Sequence, residues 1–289
     1  MRLQDYGLYA LLVFGWSTSW LPLKYQVGVV APEVSILWRF IIAGLLCFAL
    51  ARIWSAPLKF SRDIHLRFAA MGLFMFSTNF TLFYYASQYV ASGLLAVVFA
   101  TASMMNILLV AILNKKPPQL SQLGASFIGL TGVVLIFLPE LSVSPQALPA
   151  LMMCVLGTLS FCSGNLISAS LQDRHISVTS ANGWGMFYGC IVLCIYTVIL
   201  GHEFTFEMSV VYISGLLWLA LFASVLAFTC YLTLVGRIGA GKAGYATVIF
   251  PVFALLISTA FEAYSWTVLS VVGIGLVLAG NVMMIRAKR

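Results

Sequence analysis

Apolar stretches of the length that spans a hydrocarbon core, about 20 residues, recur along this chain. Short breaks separate them, where charges and prolines gather. The breaks place spans at 7–24, 33–53, 67–87, 92–113, 120–138, 147–170, 180–200, 210–234, 242–261 and 265–285. Lipid offers backbone groups no hydrogen-bonding partner, so spanning segments are helices or strands of a closed barrel. Barrel strands alternate apolar and polar positions, whereas these runs are uniformly apolar. The pattern predicts an all-α membrane protein with ten transmembrane helices. Connectors such as Lys115-Lys116-Pro117-Pro118 and residues 139–149 are too short to hold a further domain.

Composition agrees. The 289 residues are 62% hydrophobic and 8% charged, where a soluble domain carries about 25% charged residues. All six cysteines fall inside apolar runs, none in a C-x-x-C pair. They read as small buried hydrophobes, not disulfides or metal ligands. The first apolar run has no small-residue cleavage site after it and reads as a retained helix, not a signal peptide.

The net charge of +7 could suggest nucleic acid, but its distribution removes that reading. With a cytoplasmic N-terminus, thirteen of the fifteen Lys and Arg residues fall in cytoplasmic segments. Lys24 lies near the outside and Arg39 within the second span. The positive-inside rule then sets both termini in the cytoplasm of an inner (plasma) membrane protein. The basic residues orient helices and touch anionic lipid headgroups.

A shift of 148 residues superposes Gly93 on Gly241, Asn114 on Glu262 and Gly132 on Gly280; Trp38 and Trp184 match at 146. The pattern is five spans followed by five, expected as repeats over 1–140 and 141–289. Five is odd, so the second repeat enters the membrane inverted. Inverted repeats place a solute site near mid-membrane, between the halves.

Three segments carry a family resemblance: Gly15-Trp16-Ser17-Thr18-Ser19-Trp20, Leu37-Trp38-Arg39-Phe40, and the run from Ile249 through Pro251 to Leu256. With the stretch from Glu262 to Gly280, they resemble the EamA-type branch of the drug/metabolite transporter superfamily. The first half departs from that family's pattern: Ala100-Thr101-Ala102-Ser103 stands where a proline is usual, and Asn114-Lys115-Lys116 lacks a glutamate. Within the superfamily the chain is most similar to aromatic amino-acid exporters of the YddG type. The resemblance implies a 5+5 inverted repeat and outward movement of amino acids, aromatic or neutral. Carriage of other metabolites or drugs, a channel, and a sensor without flux are the alternatives.

Catalytic chemistry finds no foothold. The aspartates Asp5, Asp63 and Asp173 lie in cytoplasmic segments, and no glutamate lies deep in a span. That removes an intramembrane protease and a mid-membrane carboxylate relay, and leaves facilitated transport or coupling through boundary groups such as Glu33 and Glu262. Gly236 to Lys242 matches G-x4-G-K, but Ala243 stands where a P-loop needs Ser or Thr, so the segment reads as a flexible cytoplasmic turn. No cofactor or metal is expected; the partners are a small-molecule solute and membrane lipid.

The expected cavity residues are Trp16, Asn79, Phe83, Phe99, Asn165 and Tyr245, with Pro251 as a hinge. Asn79 and Asn165 are amides at mid-depth, costly against lipid, so each faces a wet cavity or bonds a neighbouring helix. Asn79 shares a helical face with Gly72, Phe76 and Phe83. Trp16, Trp20 and Lys24 share a face of span one; Trp20 and Lys24 read as an interfacial belt, with a face for a solute bearing a ring and a carboxylate as the alternative. Arg39 is expected to bond helix-end carbonyls near the outer face, with binding of a substrate carboxylate as the alternative. The small-x3-small faces at Ala125/Gly129, Gly185/Gly189 and Gly275/Ala279 read as helix packing in a monomer, with dimerisation through span five or ten as the alternative.

Overall fold

The computed structural model describes residues 3–115, 117–243 and 246–286, and among these every regular element is a helix. The first predicted span is two pieces, α1 (Leu3–Ser17) and α2 (Trp20–Lys24). Pro22 explains the break. It lacks the N–H that would bond the carbonyl of Thr18, and its ring crowds that carbonyl. The hydroxyls of Thr18 and Ser19 turn back onto the carbonyls of Phe14 and Trp16, at 2.8 and 2.9 Å.

The other elements follow in chain order. They are α3 (Pro32–Ile53), α4 (Arg62–Leu73), α5 (Asn79–Ala86), α6 (Ser92–Ala100), α7 (Ala102–Leu113), α8 (Leu120–Val143) and α9 (Ala147–Gln172). After them come α10 (Val178–Leu200), α11 (Val210–Trp218), α12 (Ala227–Ala243), α13 (Ala246–Phe261) and α14 (Val268–Arg286). A π-helical turn, Phe74–Thr78, joins α4 to α5, and another, Leu219–Leu226, joins α11 to α12.

Among the described residues, seven helical segments are long and apolar enough to cross a bilayer: 32–53, 62–86, 92–113, 120–142, 147–172, 178–200 and 210–238. Residues 248–261 and 268–284 form two shorter apolar helices. One sequence expectation fails outright. Residues 236–243 continue α12 and are not a turn. The segment holds no proline, and its glycines cost only about 1 kcal/mol each in a helix.

The helices pair in an ordered way. Beside α4 with α10, the main pairs include α8 with α14, α3 with α10, α6 with α13, α5 with α9, and α1 with α12. Exchanging the first five predicted spans for the second five returns these five pairs. The first three pairs map onto themselves, and the last two map onto each other. The two π turns exchange as well. So do two tryptophan contacts. Trp38 on α3 donates its indole N–H to Thr205 O, in the loop after α10, at 2.9 Å. Trp184 on α10 donates to Leu58 O, in the loop after α3, at 3.1 Å.

Small residues set the closest approaches. A Cβ on Gly132 would lie 2.5 Å from Gly273 O, and one on Gly280 would lie 2.7 Å from Ala125 O. The faces at Ala125/Gly129 and Gly185/Gly189 therefore serve packing within the chain; Gly275 meets nothing within 4 Å. The six cysteines are free, four of them buried.

Candidate functional site

Trp16 ends the last full turn of α1 and is nearly enclosed, 5% exposed. Five rings surround it. Their centroid distances are 5.0 Å to Tyr231, 5.7 Å to Phe228, 5.7 Å to Phe250, 5.9 Å to Phe99 and 6.3 Å to Phe161. Trp20, four residues on, stacks on Phe250 at 6.3 Å with an 8° interplanar angle and meets Phe83 at 5.4 Å. Rings at these separations gain edge-to-face and offset attraction beyond area burial.

Within this cluster lies a cavity of about 40 Å³, lined by Trp16, Trp20, Arg39, Asn79, Phe83, Phe99 and Phe228 among others. It has room for water and no more. Four of the predicted residues, Trp16, Asn79, Phe83 and Phe99, thus meet at one place. Trp20 is not a belt residue: it is 8% exposed and lines the same cavity. The break at Thr18–Ser19 carries α2 inward, which periodicity alone does not show.

Arg39 also departs from expectation. Its Nε donates to Ser224 Oγ at 2.8 Å and its Nη1 to Tyr84 OH at 3.4 Å. The guanidinium carbon lies 4.5 Å from the Phe80 ring centroid, a cation–π contact. No helix-end carbonyl accepts from it among the described residues. Its isolation in span two was the one signal for this role.

A second cavity, of about 320 Å³, is lined by Asn106, Asn114, Gln119, Gln122, Asn165, Gln172 and Tyr231 among others. Asn165 therefore lines this space and not the central one. Its Nδ2 donates to Tyr231 OH at 3.4 Å. The packed pair Trp16–Tyr231 separates the two cavities. Tyr245, the sixth predicted residue, lies outside the described residues. Pro251 sits inside α13, next to Phe250, whose ring touches Trp16 and Trp20.

At the other end of the helices, Lys24 Nζ meets Glu262 Oε1 at 2.8 Å and the Val90 carbonyl at 3.3 Å. Glu262 also accepts from Ser92 N at 3.0 Å and from the hydroxyls of Ser92 and Ser258. A carboxylate on the first N–H groups of α6 is favoured by the helix dipole. This clasp ties α2, the start of α6 and the end of α13 together. Burial pushes the Glu262 carboxyl up, but hydrogen bonds from Lys24, Ser258 and Ser92 outweigh it and hold the group below its ordinary value.

The clasp therefore stabilises fully at neutral pH. The contribution fades as pH falls below the ordinary carboxylate range, near about 4.3, and is gone below the lower folded value. Melting of the solubilised protein should show this loss on acidification, and Glu262→Gln should flatten it. Identical acid profiles for the two proteins would mean that the clasp adds nothing. Glu33, the other boundary carboxylate, is also engaged, by His202 Nδ1 and by Tyr85 OH, the latter at 3.1 Å.

The model of the EamA-like transporter family matches this chain twice, at residues 6–138 and 148–286. Protein PagO of Salmonella typhimurium is 25% identical over 264 residues, 89% of this chain and 85% of PagO. The uncharacterized transporter YoaV of Bacillus subtilis is 24% identical, covering 83% of this chain and 82% of its own. The uncharacterized inner membrane transporter YedA of Escherichia coli is 24% identical over 98% of this chain and 90% of its own. One crystal structure of a protein superposes over the full length of both chains with a TM-score of 0.70 at 14% identity, a likeness of fold alone.

Proposed function

This chain belongs to the EamA-like transporter family, and on that premise we propose that it exports amino acids, aromatic or neutral, by alternating access. As a member it is a multi-pass membrane transporter of small solutes. The further reading has ten spans in two inverted five-helix halves, 1–140 and 141–289, with both termini cytoplasmic. The two family matches fall one in each proposed half. The exchange of helix pairs, π turns and tryptophan contacts supports the inversion.

The observation that carries the cargo reading is the ring-walled cavity at the meeting of the halves. Trp16, Trp20, Phe83 and Phe99 come from the first half and Phe228 from the second. Such walls suit a flat apolar side chain by stacking and close contact. The amide-lined cavity reaches the end bearing Asn114 and Gln119, the cytoplasmic end in this reading, while the Lys24–Glu262 clasp ties helices together at the outer end, beside a hollow of about 610 Å³ lined by Lys24 and His202. Between the two ends the central cavity, at about 40 Å³, is shut. Transport requires the clasp to part and the Trp16–Tyr231 partition to take over as the seal. Pro251 beside Phe250 is the bending point of α13, and the chain works as a monomer.

Uptake into proteoliposomes tests this. Labelled phenylalanine and leucine should move saturably and show trans-stimulation, and sugars should not. Flux of other metabolites or drugs without any amino acid would overturn the cargo. Absence of any solute flux would favour the sensor.

A further inference from the structure

We propose that the central cavity recognises the zwitterionic head of a free amino acid: the carboxylate by Arg39 and the Trp20 indole N–H, the ammonium by the Asn79 amide oxygen. The inference rests on the amino-acid cargo above and adds which part of that cargo is read, and by which residues.

Arg39 is 2% exposed, yet none of the chain's carboxylates pairs with it among the described residues. Its two hydrogen bonds go to neutral hydroxyls, those of Ser224 and Tyr84. A buried cation without an anion is poorly compensated, and charged groups inside membrane proteins generally face one another or a solute path. Arg39 faces a cavity.

Two further unmet groups line that same cavity. Among the described residues, Trp20 Nε1 is a buried donor with no partner and Asn79 Oδ1 is a buried acceptor with no partner, although the Asn79 Nδ2 donates to Met75 O at 3.3 Å. Orphaned buried polar atoms are uncommon and ask for an explanation. Here a cation, a donor and an acceptor, from α3, α2 and α5, surround one small space.

Each unmet group matches one part of an amino acid. A carboxylate satisfies a guanidinium fork and an indole N–H together. An ammonium is a donor only and satisfies an amide oxygen. The rings of Trp16, Phe83, Phe99 and Phe228 remain for the side chain. At about 40 Å³ the space is collapsed, so the rings swing outward as the head group enters.

Competition against labelled phenylalanine in wild-type proteoliposomes tests the proposal without a mutant. Phenylalaninamide and 2-phenylethylamine lack the carboxylate; phenylacetate lacks the ammonium. Each should compete at least ~10-fold more weakly than phenylalanine, because a site built to bond a polar group rejects analogues that lack it. Arg39→Gln, where it folds, should lose the preference for phenylalanine over its amide. Equal competition by 2-phenylethylamine and phenylalanine, in vesicles that do move phenylalanine, would overturn the head-group reading and leave the cargo standing. Vesicles that move no amino acid would overturn both.

Discussion

Gly72→Val should lose most of its folded yield. A Cβ at this position would lie 2.6 Å from Gly189 N, 2.7 Å from Gly185 O and 2.9 Å from Tyr188 Cβ. The first two atoms are backbone of α10, which cannot turn aside as a side chain would. Relief requires α4 and α10 to separate, and that undoes the packing of Phe76 against Gly185 and Gly189 as well. Overpacking of a tight contact costs roughly 1–3 kcal/mol, and contacts to backbone belong at the upper end. Size-exclusion yield and melting temperature of the solubilised protein measure it. Gly275→Val is the control, since nothing lies within 4 Å of that Cβ. Equal behaviour of the two variants would mean that α4 does not lie against α10.

Trp16→Ala should cut flux at least tenfold and cost stability as well. The ring is the hub of five aromatic contacts and forms one side of the partition between the cavities. Removing a buried aromatic side chain costs about 3–5 kcal/mol, because its neighbours close the void only in part. From sequence alone this variant would be expected to keep its folded yield; the packing overrules that expectation. Asn165→Ala separates function from stability better. Among the described residues its one side-chain hydrogen bond is long, at 3.4 Å, and its Oδ1 has no partner. Loss of flux with unchanged melting is the expected result for Asn165→Ala, and unchanged flux in both variants would move the path elsewhere.

Seven of the ten predicted spans coincide with helices long and apolar enough to cross a bilayer, and these were readable because the signal for them is strong and local. A run of apolar residues closed by Lys115 and Pro117, or by Glu203 and Glu207, needs no knowledge of its neighbours. The meeting of Trp16, Asn79, Phe83 and Phe99 was readable for a related reason. Large rings and an amide at mid-depth must turn toward protein or water. What escaped depends on contacts far along the chain. Trp20 looks like a headgroup anchor until Phe250 is beside it. Arg39 looks like a snorkelling cation until Ser224 and Tyr84 are seen to hold it at depth.

The face drawn through Gly72, Phe76, Asn79 and Phe83 also breaks up. Gly72 faces α10, whereas Asn79 and Phe83 line the central cavity. The wide turn at 74–78 lies between them and changes the phase of the helix. Periodicity taken at 3.6 residues per turn does not register that change.

That wide turn also has a bearing on how the chain tolerates insertions and deletions. A π turn carries roughly one residue more than the ladder around it. Excising one residue from 74–78 would restore an unbroken α ladder and leave α5 aimed nearly as it is, because the π turn already absorbs the extra residue; excising one from the regular ladder of α4 would instead rotate everything downstream by about 100°. Asn79 and Phe83 would then sweep away from the space they enclose, with no bond left unmade in the rod itself. The spare residue is slack that a single deletion can take up, and the turn at 219–226 holds the same slack ahead of α12.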